Sequence, residues 1–415
     1  MARRRFLRTA GGAAALASLR PRAARGGAQP KGAPRPAFDV AVVGAGVFGA
    51  WTALHLRRAG RRVVLLDAYG PASSRASSGG ETRVIRMGYG ADETYTRWSQ
   101  RSLPQWKGLA RESGLELFVP TGVLWMARGE DRLTLDSLAT ISRLGIVHEK
   151  LARPDLERRF PQIDFGPVTW GILEPESGVL MARRAVGAAV RQGIREGVTY
   201  LKARALPPTG KGPLADVVLS SGERVSAGAF VFACGPWLPA LFPDLLDGRI
   251  VATRQEVFYF GPPAGETRFG PPAMPVFVDF GEETYGIPDI EGRGFKVAPD
   301  RHGPPLDPDT AERTVTQETL ARVREFVRRR FPALGEAPLV ASEVCQYENT
   351  SSGDFLIDRH PEHDNVWLVG GGSGHGFKHG PAVGEYAAAR VADGLPVEAK
   401  FALATKERAR RRTVF

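Results

Sequence analysis

The chain has 415 residues, 43% of them hydrophobic and 24% charged, with a formal net charge of +11 and two cysteines. That length has room for two domains with sizeable cores, two cysteines exclude a disulfide framework, and no apolar run is long enough to cross a bilayer. Residues 1–35 carry +9 and residues 401–415 carry +4, which leaves residues 36–400 at −2 and removes the main support for a nucleic-acid partner.

Arg3-Arg4-Arg5-Phe6-Leu7-Arg8 precedes a short, weakly apolar stretch, Thr9 to Leu19, and then Arg20 and Arg22. This pattern resembles a twin-arginine signal, which would export the folded protein to the periplasm; without export the chain would be cytoplasmic, its first 35 residues a basic arm. Asp39 to Ala68 reads as a strand, a tight glycine turn, an amphipathic helix and a second strand. Gly44, Gly46 and Gly49 have GxGxxG spacing, and Asp67 ends the second strand where a ribose hydroxyl would bind. With strand, helix and acid all in place, this is a dinucleotide-binding unit.

Residues 72–90 form a polar, glycine-rich crossing segment. A helix is expected from Tyr95 to Ala110, a strand at 121–127 and a helix from Ala182 to Glu196. A hairpin around Ser220-Ser221-Gly222 leads into AFVFACG at 229–235, where Cys234 reads as structural. Ile250 to Pro338 holds short aromatic-rich strands between Pro and Gly turns, suggesting an antiparallel sheet, and then a helix over 317–331. Cys345 to Gly384 brings together a lone cysteine, a buried strand at Val366–Val369, the run GGGSGHG and Lys378. A segment almost without side chains, followed by a helix start, suits a flat ligand carrying developing negative charge, and reads as half of a flavin site. His360, His363, His375 and His379 match no compact zinc pattern, so no metal is expected.

Several of these segments, in this order, resemble the D-amino-acid-oxidase-type flavoproteins, and within them the monomeric sarcosine oxidase and N-methyltryptophan oxidase branch. They are GAGVFG, GETRVIRMGYG, Arg254-Gln255, TYGIP, GFKVAP, Cys345-Gln346-Tyr347, the Ile357 to His363 run and SGHGFK. The resemblance covers Phe38 to the end. It implies an α/β fold with a doubly wound, Rossmann-like FAD-binding domain (36–105, 171–249 and 339–400) and an inserted antiparallel-sheet α+β substrate domain (106–170 and 250–338). Residues 1–35 would be the leader and 401–415 a basic tail.

The resemblance also implies roles. Cys345 corresponds to the cysteine bonded to the flavin 8α-methyl group, a linkage a thiolate suits as nucleophile. Gly44, Gly46, Gly49, Asp67, Arg83, Gly374, His375 and Gly376 would bind FAD, together with Lys378. Arg86 and Lys378 would anchor a substrate carboxylate. Tyr285 and Tyr347 would wall the substrate pocket, and Lys296 would stabilise charge on oxygen as it is reduced. The reaction implied is oxidation of the C–N bond of a secondary or tertiary amino acid to an imine, with O2 reduced to H2O2, by a monomer without membrane insertion. Two alternatives stay open: a dehydrogenase of the same fold serving a quinone or cytochrome, and a non-catalytic flavin-binding subunit. The sequence departs from the branch at three places. Ser77-Ser78-Gly79 replaces a histidine-rich turn, Thr-Pro-Asp is missing after Tyr347, and Asp300 or Arg301 stands where a substrate-side histidine is usual.

Overall fold

The computed structural model describes residues 36–408; the expected leader at 1–35 and the last residues of the basic tail, 409–415, lie outside them. The strand Phe38–Val43 lies between Arg224–Phe232 and Val63–Asp67, parallel to both, with Val42 opposite Val231 and Leu65. Val366–Gly370 extends the sheet on one side and Thr199–Lys202 on the other, also parallel. The strands Phe38–Val43, Val63–Asp67 and Val366–Gly370 are nearly unbroken apolar runs, and Val63, Val64, Leu65 and Leu66 are all buried, as a sheet covered on both faces requires, while Thr199–Lys202 at the edge is largely exposed. Leu356–Arg359 closes one edge antiparallel to Val366–Gly370. The helix Val47–Arg58 packs against the helix Gly380–Asp393 and against Ala182–Arg195.

A second sheet has the order Leu339–Thr350, Ile250–Phe260, Phe295–Pro299, Thr284–Ile287, Val276–Asp279, Val123–Ala127, Trp170–Glu174, Glu149–Ala152. It is antiparallel except between Val276–Asp279 and Val123–Ala127, which run parallel. The aromatic strands predict an antiparallel sheet because they follow one another closely. The parallel pair instead joins segments far apart in the chain, where no hairpin sets direction. The helix Gln317–Arg330 buries Val323, Phe326 and Val327 against Phe258, Phe277 and Phe295 of this sheet. The expected domain boundary at 339 falls at the start of Leu339–Thr350, which pairs along its length with Ile250–Phe260. Cys345 and Tyr347 therefore belong to the second sheet, and Gly374 to the turn leaving the first. The ligand site is built where the two meet.

Candidate active site

A cavity of about 380 Å³ runs from the glycine turn after the first strand to the C-terminal glycine turn, with Gly44, Asp67, Cys234, Glu348 and Gly374 in its wall. Gly44 has φ +104°, and a Cβ there would lie 2.3 Å from the Ala233 carbonyl oxygen, so only glycine passes. Gly46 is the N-cap of Val47–Arg58, so no capping side chain covers the first-turn amides, an arrangement ready for an anion. Asp67 braces this turn. Its Oδ2 accepts from Ala45 N at 2.7 Å and its Oδ1 from Tyr69 N at 2.9 Å and Gly70 N at 2.7 Å. Cys234 donates its thiol to the Val43 carbonyl at 3.3 Å.

Cys345 and Arg83, 262 positions apart in sequence, meet further along. Arg83 Nη2 donates to Cys345 Sγ at 3.0 Å and to Ser77 O at 2.7 Å, and its Nη1 donates to Thr82 O at 2.8 Å. Lys296, 1% exposed, donates to the same Thr82 carbonyl at 3.1 Å. Burial first, and then the Arg83 charge, lower its pKa to about 7. It lines neither this cavity nor the one described next.

A smaller cavity of about 70 Å³ adjoins the first, with Arg83, Tyr347, Gly374 and Phe377 lining both. Arg86, Lys378, Tyr285, His375, Asp300 and Cys345 are also in its wall. The Arg86 guanidinium stacks 4.3 Å from the Tyr89 ring centre and 4.9 Å from that of Trp125. Lys378 Nζ donates to Tyr89 OH at 2.8 Å and to His375 O at 3.0 Å. Burial, then Arg86, holds its pKa well below the usual lysine range. Tyr347 OH donates to Asp300 Oδ1 at 3.2 Å. His375 Nε2 lies 3.0 Å from Gly353 O. The expected candidates thus fall into two adjoining groups, Gly44, Gly46, Gly376 and Asp67 around the long cavity and Cys345, Arg86, Lys378, Tyr285 and His375 around the short one, while Gly49, inside the helix, lines neither. Arg83, Tyr347 and Gly374 join them.

Two buried acids, Glu174 and Glu348, belong to none of the sequence motifs. Glu174, 1% exposed, accepts from Gly88 N and Trp125 Nε1 on one oxygen and from Met87 N and Ser177 Oγ on the other, at 2.6 to 2.9 Å. It fastens the turn that carries Arg86. Glu348 lies in the long cavity's wall; burial raises its pKa to about 7, and its Oε2 has no hydrogen-bond partner among the described residues. Of the pair left open at the histidine position, Asp300 faces the small cavity, while Arg301 turns outward to Glu283. Strand alternation places Glu348 opposite Tyr347, so the pattern carries no signal that both line the cavity.

A nucleotide-type cleft in a doubly wound sheet, opening into a cationic pocket on a second sheet, defines a flavin-dependent oxidoreductase. Residues 39–390 match the family described as FAD dependent oxidoreductase, DAO, and the chain belongs to it. It is 32% identical over 361 residues to monomeric sarcosine oxidase of Streptomyces avermitilis, covering 85% of this chain and 93% of that one. It is 31% identical to human peroxisomal sarcosine oxidase, with 85% and 92% covered, and 27% identical to N-methyl-L-tryptophan oxidase of Salmonella arizonae, with 85% and 94% covered. L-proline dehydrogenase from P. horikoshii shares the fold with a TM-score of 0.76 at 21% identity, over 89% of this chain and 97% of that one. The protein is an FAD-dependent enzyme acting on CH–NH donors. The residues present fit FAD. The glycine turn and uncovered helix amides suit its pyrophosphate, and the orphaned Glu348 carboxyl oxygen is a polar group in want of a ligand partner.

Proposed function

We propose that the enzyme oxidises the C–N bond of a secondary or tertiary amino acid, an N-methyl amino acid of sarcosine type or a cyclic imino acid, to an imine that water then hydrolyses. O2 is the acceptor in this reading and H2O2 the second product. The observation that carries it is the placement of Arg86 and Lys378 in one small cavity that opens, through Arg83 and Tyr347, onto the long cavity. Two buried cations there have a substrate carboxylate as their natural counter-ion. A flavin-binding subunit without activity has no need of such an anchor.

FAD would be held by the turn at Gly44 and Gly46 and by Gly374, with Cys345 Sγ as its point of covalent attachment, and would supply the hydride acceptor. The protein binds and orients the rest. Arg86 offers a planar fork for both carboxylate oxygens, and Lys378 fixes the carboxylate from the second side. Tyr285 and Tyr347 wall the pocket and limit the amine substituents. Lys296, beneath Thr82, contributes positive charge where oxygen is reduced. Residues 1–35 carry the export signal in this reading, which fractionation of the expressing cells would test.

The experiment is an anaerobic titration of the holoprotein with sarcosine, N-methyl-tryptophan, pipecolate, proline and a carboxyl-esterified control. We expect at least one free amino acid to bleach the oxidised flavin band, its ester not to, and air to restore the band. Bleaching without recovery in air would favour the dehydrogenase, and no bleaching by any of the amino acids would sink the reading.

A further inference from the structure

We propose that Asp300 is the amine-side group of the small cavity, pairing with the substrate ammonium opposite Arg86 and Lys378 and accepting the proton that must leave nitrogen before the C–N bond is oxidised. This rests on the amine-oxidation reading above and specifies its site. Asp300 follows the strand Phe295–Pro299, and its N–H donates to Glu283 O at 2.6 Å, which fixes where the side chain emerges. Tyr347 OH, at 3.2 Å, is the one hydrogen-bond donor to its carboxylate among the described residues, so most of its acceptor capacity is left for a ligand. The other acid in the cavity wall, Glu256, is occupied by Arg254 Nε at 2.8 Å and by Thr316 N and Oγ1 at 3.0 Å.

A zwitterionic amino acid brings both charges into about 70 Å³. Its carboxylate has Arg86 and Lys378. Its ammonium would face those two cations unpaired, a costly arrangement in a buried site, unless a carboxylate meets it. Asp300 is the group in position to do so. The charged and titratable groups around it are Arg86 and Lys378 on the cationic side, Glu283 on the anionic side and the hydroxyls of Tyr347, Tyr285 and Tyr89. Burial raises the Asp300 pKa to about 6 against Arg86, Tyr347 and Lys378, so it is ionised at neutral pH yet more basic than an exposed carboxylate. Burial and the Arg86 charge that depress Lys378 act the same way on a substrate ammonium, loosening its proton. The step is a proton transfer alone: the N–H bond breaks, an O–H bond forms on Asp300, the electron pair stays on nitrogen, and nothing is oxidised.

The test compares wild type, Asp300→Asn and Asp300→Glu as holoenzymes in two measurements. The first is anaerobic flavin reduction by the best substrate across pH 5 to 10. Wild type should lose second-order rate below about pH 6, where Asp300 is protonated. The near-isosteric Asp300→Asn should be slower by about 100-fold at pH 7 and recover about tenfold per pH unit as free amine forms in solution, while Asp300→Glu should keep an acidic limb. The second is a spectral titration with butyrate, which has the carboxylate and no amine. Its affinity for wild type should weaken as pH rises through about 6, where Asp300 becomes charged, and that dependence should vanish in Asp300→Asn. Parallel pH profiles for wild type and Asp300→Asn in flavin reduction overturn the proposal and leave the amine-oxidation reading standing. Failure of every amino acid to bleach wild type overturns the amine-oxidation reading and the proton step with it, and a butyrate titration with no Asp300 dependence then removes the residue from the site altogether.

Discussion

Glu174→Gln tests whether the Arg86 anchor depends on the buried carboxylate beneath it. Each Glu174 oxygen accepts two hydrogen bonds, from Gly88 N and Trp125 Nε1 on one side and from Met87 N and Ser177 Oγ on the other. Glutamine keeps the shape but turns one oxygen into an NH2. Ser177 can rotate its hydroxyl to accept from that group, so the best amide orientation sets the NH2 toward Ser177 and Met87. Met87 N–H then faces another donor. One buried N–H left without an acceptor costs about 2 kcal/mol. For a chain of this length the unfolding entropy at the midpoint is about 0.9 kcal/mol/K, so we predict a melting temperature about 2 °C lower. The Arg86 to Gly88 turn loses its fastening as well. We therefore predict KM for the substrate up about tenfold, equivalent to about 1.4 kcal/mol, with kcat changed less. Thermal unfolding and steady-state kinetics on the holoenzyme measure both, with Ser177→Ala as a control that removes a donor and strands no acceptor. A Glu174→Gln enzyme with unchanged melting temperature and KM would refute the reasoning.

Three further predictions test the remaining side chains. Cys345→Ser should release its flavin on acid precipitation while wild type keeps it with the protein pellet; free flavin from wild type would end the covalent reading. Arg86→Lys keeps the charge but loses the fork, so KM should rise about tenfold for a carboxylate substrate, and equal KM values would place the carboxylate elsewhere. Lys296 is charged below its pKa of about 7 and neutral above it. The second-order rate of flavin reoxidation by O2 should therefore fall about tenfold between pH 6 and pH 8, whereas Lys296→Met should be slow and flat with pH while anaerobic reduction by substrate persists. A pH-independent wild-type reoxidation rate would remove Lys296 from the oxygen step.

What could be read from the amino-acid order was what local physics governs. The glycine turn declares itself because Gly44 must take a positive φ beside Ala233. The helices read as 182–196 and 317–331 appear as Ala182–Arg195 and Gln317–Arg330, since their apolar period of 3.6 is a property of neighbouring residues. The buried apolar strand Val366–Gly370 was legible for the same reason. Several groups that the structure places in the cavity walls, Gly44, Asp67, Cys345, Arg86 and Lys378 among them, were also legible, because a motif preserves residue type and spacing, whereas Lys296 lines neither cavity. Their mutual geometry was not. Arg83 reaches Cys345 across 262 positions and Glu174 reaches Met87 across 87, distances over which the sequence holds no period. The choice between Asp300 and Arg301 is a matter of one position. It is decided by how the strand Phe295–Pro299 ends and by the Asp300 N–H bond to Glu283, which turn one side chain into the cavity and the other into solvent. Sequence thus determined which chemical groups are available, and tertiary structure decided which of them face one another, because packing two sheets together is a long-range event that no local pattern encodes.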